Sequence, residues 1–199
     1  MTAIATVSAL DTASVTVTVP ASVWKAAADI VDPKDTRLAL RHALFTDGCL
    51  YATDGKVLMR YILDQAMPTG EWLLPLGKLP AGTQSVRLTF TPGQPMVTQS
   101  IVTKAGELSA TLDAYEGVAP AIVQVFNNAR DGQDEPLDQY AGLDAGQLAQ
   151  VMKHAAAIMA DTRGKGLHAV VPRFRGKYAV YIECPDDTAL AFVIMPMSI

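Results

Sequence analysis

The chain has 199 residues, half of them hydrophobic and 18% charged, with a net charge of −4 at neutral pH. Such a composition supplies ample apolar material for a packed core and excludes a disordered chain. The acidic balance argues against a protein that simply coats nucleic acid, because such proteins carry an overall basic charge.

In chain order, Ser14–Val19 alternates polar and β-branched residues and predicts a strand. Pro20 then opens a helix over Ala21–Val31, with Val23, Ala27 and Ile30 at helical spacing. After Asp32-Pro33 come strands at Arg37–Phe45, Leu50–Thr53 and Val57–Leu63, separated by Asp47-Gly48 and Asp54-Gly55 turns. The unit is β-α-β-β-β. A degenerate second copy follows. Glu71–Pro75 reads as a strand, Leu76–Ala81 offers only a stub where a helix would sit, and Val86–Thr91, Met96–Thr103 and Glu107–Asp113 supply three strands. Val118–Asp138, rich in Asn, Asp and Gly, reads as a connector. In a third copy Asp144 caps a helix running to about Ala160 on a face of Leu148, Val151, Met152, Ala155, Ile158 and Met159. Strands at Leu167–Pro172, Tyr178–Glu183 and Ala189–Met197 complete it, with turns at Arg175-Gly176 and Pro185–Asp187. Repetition of such a unit implies stacked copies that share a sheet, since one copy cannot bury its own apolar face.

Other signals are mostly negative. No apolar stretch is long enough to cross a bilayer and Met1–Leu10 lacks the pattern of a signal peptide, so a cytoplasmic location is expected. Cys49 and Cys184 make neither a disulfide framework nor a metal site. His42, His154 and His168 stand singly, and no calcium loop, Walker loop or dinucleotide fingerprint is present. Neither an enzyme, a cofactor nor a metal is therefore expected. Charge is segregated: acids dominate Asp113–Asp144, whereas Arg163, Lys165, Arg173, Arg175 and Lys177 have no acid among them.

Five segments resemble the bacterial sliding clamp, the β subunit of DNA polymerase III. Ala52-Thr53-Asp54-Gly55-Lys56-Val57-Leu58 is similar to the family's A-T-D-G-H-R-L turn, with Lys56 and Val57 in place of His and Arg. Glu71–Pro75 is similar to a strand ending in V-P, and Leu112–Gly117 to the segment entering the interdomain connector, without its F-P-D-Y. Val180–Glu183 and Phe192-Val193-Ile194-Met195-Pro196-Met197 resemble the family's last hairpin and V-V-M-P-M end.

The resemblance implies an α+β DNA-clamp fold of about one and a half clamp domains. Residues 1–118 would form a domain of two units, 119–138 a connector, and 139–199 a third unit with the C-terminal strand. A shortened, phage-encoded member is the expectation. It implies a processivity factor that encircles or partly encircles duplex DNA without reading sequence, as a homo-oligomer with no membrane association. DNA-facing residues would be Lys25, Lys153, His154, Arg163 and Lys165. A hydrophobic groove for short peptides of a DNA polymerase or other replication proteins would use Thr53, Gly55, Lys56, Val57, Leu58, Val193, Met195, Pro196 and Met197. Strand alternation aims Val193 and Met195 at the Thr53–Leu58 turn, and Phe192 and Ile194 at the other face. Two alternatives stay open: a clamp-fold binding protein or decoy that modulates a host clamp or polymerase without encircling DNA, and a C-terminus that is only a last core strand.

Overall fold

A computed structural model describes residues 14–91, 93–115, 121–132, 143–175 and 179–195. The first repeat runs β1 (Val15–Pro20), α1 (Ala21–Ile30), β2 (His42–Thr46), β3 (Cys49–Thr53) and β4 (Val57–Ile62). The second runs β5 (Trp72–Pro75), β6 (Thr83–Phe90), β7 (Met96–Thr103) and β8 (Gly106–Asp113). Next come α2 (Ile122–Asp131), α3 (Ala145–Thr162), β9 (Val171–Arg175), β10 (Ala179–Glu183) and β11 (Leu190–Ile194).

These strands form a four-stranded sheet, β1-β6-β7-β8, and a seven-stranded sheet, β5-β2-β3-β4-β11-β10-β9. The first two repeats exchange their first strands. β1 of the first lies beside β6 of the second, and β5 of the second lies beside β2 of the first. Neither repeat can therefore bury its sheet face without the other. The third repeat joins through its last strand, β11, which pairs antiparallel with β4 from Leu190↔Tyr61 to Ile194↔Val57.

One face of the larger sheet carries Phe45, Leu50, Met59, Ile182, Phe192 and Ile194, which pack against α1, α3 and the inner face of the smaller sheet. The other carries Leu44, Tyr51, Leu58, Tyr181 and Val193, which pack against α2. Alternation along each strand divides the side chains between the two cores. The expected assignment of Phe192 and Ile194 to one face and Val193 to the other matches this division.

Local chemistry accounts for most boundaries. Asp47 and Gly48 both have positive φ, as the tight β2–β3 hairpin demands. The Asp144 carboxylate accepts hydrogen bonds from the Gly146 and Gln147 amides at 2.7 and 2.9 Å and caps α3. In the second repeat, Gly77, Pro80 and Gly82 break the stretch that would hold a helix. The extended chain instead accepts the Trp24 indole N–H at Gly77 O, 2.9 Å away.

The structure departs from the sequence reading in three places. Arg37–Phe45 is not one strand: Leu38–Arg41 forms a 3-10 turn before β2. Leu167–Pro172 is shifted, since β9 begins only at Val171. The stretch expected to be plain connector contains α2, ten residues long. Phe126 anchors it, fully buried between the edges of Tyr51 and Tyr181 with the Arg60 guanidinium 4.8 Å from its ring centroid. The Arg175-Gly176 turn, Pro196 and Met197 lie wholly or partly outside the described residues.

Phe126→Ala removes this anchor. A loss of about 3–5 kcal/mol is expected for such a truncation, measured by urea unfolding followed through tryptophan fluorescence.

Candidate functional site

Two depressions collect the residues singled out in the sequence. The first is an apolar cleft of about 300 Å³ where the β3–β4 turn, the end of β11, the N-terminus of α2 and the segment before β2 meet. Thr53, Gly55, Val57, Leu58 and Met195 line it together with Ala39, Leu40, Ile122 and Val125. Segments far apart in sequence converge here because β11 lies against β4, which sets Met195 beside the turn that opens β4. The Met195 amide donates to Lys56 O at 2.8 Å, carrying the pairing one residue past the strand.

The turn itself is rigid. Thr53 Oγ1 donates to Val57 O and accepts from the Gly55 amide, while Asp54 Oδ1 accepts from the Lys56 and Val57 amides. Gly55 has φ +87, and an added Cβ would lie 3.2 Å from Arg37 Nη2. A side chain there would meet both backbone strain and the guanidinium.

Arg37 is the polar group of the rim, and sequence reasoning missed it. Asp35 holds it in a two-point grip, accepting from Nε at 3.0 Å and Nη2 at 2.7 Å. Those bonds hold the Asp35 carboxyl down at about 2. Ala39, Leu40, Ile122 and Val125 were missed as well. Only the 3-10 turn and α2, neither visible as a pattern, bring them to the cleft. Two expected residues lie elsewhere: Val193 is fully buried beneath α2, and Lys56 enters through its backbone, its side chain being absent from the lining.

The second depression is a groove of about 520 Å³ between α1 and α3, on the other side of the seven-stranded sheet from α2. Lys25, Lys153 and Lys165 line it, with Asp29 and Asp161 between them. Ser22 Oγ donates to Asp161 Oδ2 at 2.7 Å across the two helices. His154 also borders the groove but is only 5% exposed, and its Nε2 is buried without a hydrogen-bond partner. Burial pushes its imidazole below the ordinary histidine range. Arg163 is not in the groove lining. With Thr162 it holds the buried Asp187 carboxylate, at 3.1 and 2.6 Å respectively. Among the described residues no three His, Cys, Asp or Glu side chains converge as a metal site. Nor, among them, is any helix long and apolar enough to cross a membrane.

Solved structures share this fold. The DNA polymerase III subunit beta of Pseudomonas aeruginosa superposes with a TM-score of 0.58 at 15% identity, covering 95% of this chain and 68% of that one. The sliding clamp of Bartonella birtlesii bound to griselimycin gives 0.60 at 12%, with 92% and 66% covered. The Helicobacter pylori beta clamp in complex with 3,4-difluorobenzamide gives 0.59 at 12%, with 96% and 67% covered. This chain has the sliding-clamp fold. It comprises about one and a half clamp domains and spans about two thirds of the length of those clamps. Its sequence matches no family model and no curated protein.

The buried His154 gives a signed pH dependence. Its folded-state pKa lies below the unfolded value near 6.5, so its stabilising contribution is complete above that value and lost as pH falls through the folded one. The melting temperature should decline on acidification below about pH 6.5, and His154→Gln should flatten that part of the profile in differential scanning calorimetry.

Proposed function

We propose that this chain is a sliding-clamp-like processivity factor. It holds duplex DNA loosely along the α1–α3 groove and tethers a DNA polymerase, or another replication protein, by a short apolar peptide seated in the cleft. One observation carries the reading: Thr53, Gly55, Val57 and Leu58 of the β3–β4 turn and Met195, far apart in sequence, line a single apolar cleft.

The cleft has the makings of a peptide site. Leu40, Leu58 and Ile122 form an apolar floor, and Met195 is a pliable side chain at its edge. Each large apolar side chain it took from water would contribute roughly 1.5–3 kcal/mol. The rim arginine, already oriented by Asp35, keeps donors free for a peptide carbonyl. Val57, where the family motif has arginine, leaves the floor more apolar and favours peptides with aliphatic or aromatic anchors.

The lysines Lys25, Lys153 and Lys165 supply phosphate contacts in a groove that their neighbours Asp29 and Asp161 keep weakly positive. Weak contact suits a tether that must move, because each phosphate neutralised steepens the salt dependence of binding. Phosphate contacts of this kind carry no sequence information. Complete encirclement by a chain of about one and a half clamp domains would take more than one copy, a homo-oligomer. No bond is made or broken in this activity, so the chain needs neither catalytic group nor cofactor. The interleaved acids favour one competing reading, a clamp-fold protein that modulates another clamp or polymerase without encircling DNA.

Three experiments test the proposal. Protein bound to nicked circular DNA should stay bound and be lost on linearisation, and equal loss from both forms defeats encirclement in favour of the competing reading. Val125→Glu with Met195→Glu should weaken binding of polymerase-derived peptides at least tenfold while sparing DNA. Conversely, Lys25→Glu, Lys153→Glu and Lys165→Glu together should lower the log–log salt slope of DNA binding by about 2–3 and leave peptide binding unchanged. Fluorescence anisotropy reads both.

A further inference from the structure

The segment Arg163–Val170, which joins α3 to β9, is built around one leucine. Leu167 is wholly exposed, whereas no other large apolar side chain among the described residues is more than 60% exposed. A lone exposed leucine on a surface means little. This one differs because the loop beneath it is tied down.

The Arg163 amide donates to Met159 O at 2.8 Å and closes the last turn of α3, and Gly164, at φ +89, leads the chain away from the helix. Four residues later the chain is caught again. His168 Nε2 donates to Gly164 O at 2.9 Å, and His168 Nδ1 lies 3.7 Å from Asp186 Oδ2. The same carboxylate oxygen accepts the Ala169 amide at 2.8 Å. These contacts close a neck between Gly164 and His168, from which Lys165, Gly166 and Leu167 project. A Cβ built on Gly164 or Gly166 would meet no atom within 4 Å, so the tip is narrow and stands clear of the body. With its neck fixed, the tip has little conformational entropy left to lose on contact.

Position names the ligand. Lys165, two residues before Leu167, lines the α1–α3 groove with Lys25 and Lys153. The tip therefore stands beside the path of a duplex lying along that groove. The minor groove of B-DNA, about 6 Å wide, admits a single glycine-flanked side chain, whereas the major groove, about 12 Å wide, is filled by a helix or a ribbon. Apolar side chains serve as minor-groove contacts in other DNA-binding proteins. The deoxyriboses that wall it are present in every sequence.

We infer that Leu167 is an apolar DNA contact, which enters the minor groove of the duplex held between α1 and α3 while Lys165 meets a flanking phosphate. The inference rests on the DNA reading of that groove and adds a contact of another physical kind. Lysine contacts weaken as salt rises, because binding releases counterions. Burial of a leucine side chain releases none. Leu167 thus contributes an affinity that salt does not remove and that carries no sequence preference.

Fluorescence anisotropy of the full chain on a labelled A·T-rich duplex, between about 50 and 200 mM salt, tests it. Leu167→Ser should weaken binding about tenfold at every salt concentration, with the log–log slope and the circular dichroism spectrum unchanged. Leu167→Met should keep most of the wild-type affinity. Netropsin, which fills the minor groove, should erase the difference between the wild type and Leu167→Ser. Wild-type affinity in Leu167→Ser overturns the inference, as does a Leu167→Met protein equally weak, or a difference that shrinks with salt or survives netropsin. The groove reading is tested apart from it by the Lys25→Glu, Lys153→Glu, Lys165→Glu protein. A loss confined to that variant overturns the leucine contact and leaves the groove reading standing. Wild-type duplex binding by that variant overturns both.

Discussion

The antiparallel pairing of β4 with β11 is the contact on which the rest of the molecule depends. Five residue pairs, Val57–Tyr61 against Leu190–Ile194, join strands more than a hundred residues apart in sequence. That ladder joins the three strands of the third repeat to β5-β2-β3-β4 in one seven-stranded sheet, and it sets Met195 beside the Asp54-Gly55 turn. Closing so long a loop costs conformational entropy that the ladder's hydrogen bonds alone do not offset. The compensation comes from burial on both faces. Met59 and Phe192 enter one core, Leu58 and Val193 the other, and all are at most 4% exposed.

A sheet buried on both sides needs a cover on both sides. α1, α3 and the smaller sheet cover one face, and α2 covers the other. The α2 cover also shapes the cleft. Phe126 pins the helix between two tyrosines, and that position puts Ile122 and Val125 opposite the β3–β4 turn. The apolar cleft and the second core are thus two consequences of one docking event. On the helical side, among the described residues, no comparable lid covers the α1–α3 groove; its lysines are exposed and its helices are joined by polar contacts such as Ser22–Asp161.

Legibility in the sequence followed the range of the determining forces. The helix over residues 21–30 and the strands over 57–62, 96–103 and 106–113 stood out from periodicity, because alternate burial leaves a period in the composition. Turn chemistry placed the Asp47-Gly48 hairpin, and the Asp144 cap placed the start of α3. α2 was hidden. Its segment is polar on average, with Asn127, Asn128 and Asp131, and only Ile122, Phe126 and Ala129 are buried. Three buried residues in ten do not outweigh the turn-forming signals around them.

Of the candidate cleft, Thr53, Gly55, Val57, Leu58 and Met195 were legible as motif, whereas Arg37, Leu40, Ile122 and Val125 were not. The sequence by itself determined the repeated unit, the alternation that sends Phe192 and Val193 to opposite faces, and the turn that the Thr53 and Asp54 side chains hold through local hydrogen bonds. Only the tertiary structure decided that the first two repeats exchange strands, that β11 seeks β4, and that Arg163 serves a buried Asp187 instead of the lysine groove. The physical reason is one of range. Local hydrogen bonds and alternation are written within a few residues, whereas strand exchange and charge pairing are settled by which distant surfaces exclude water together.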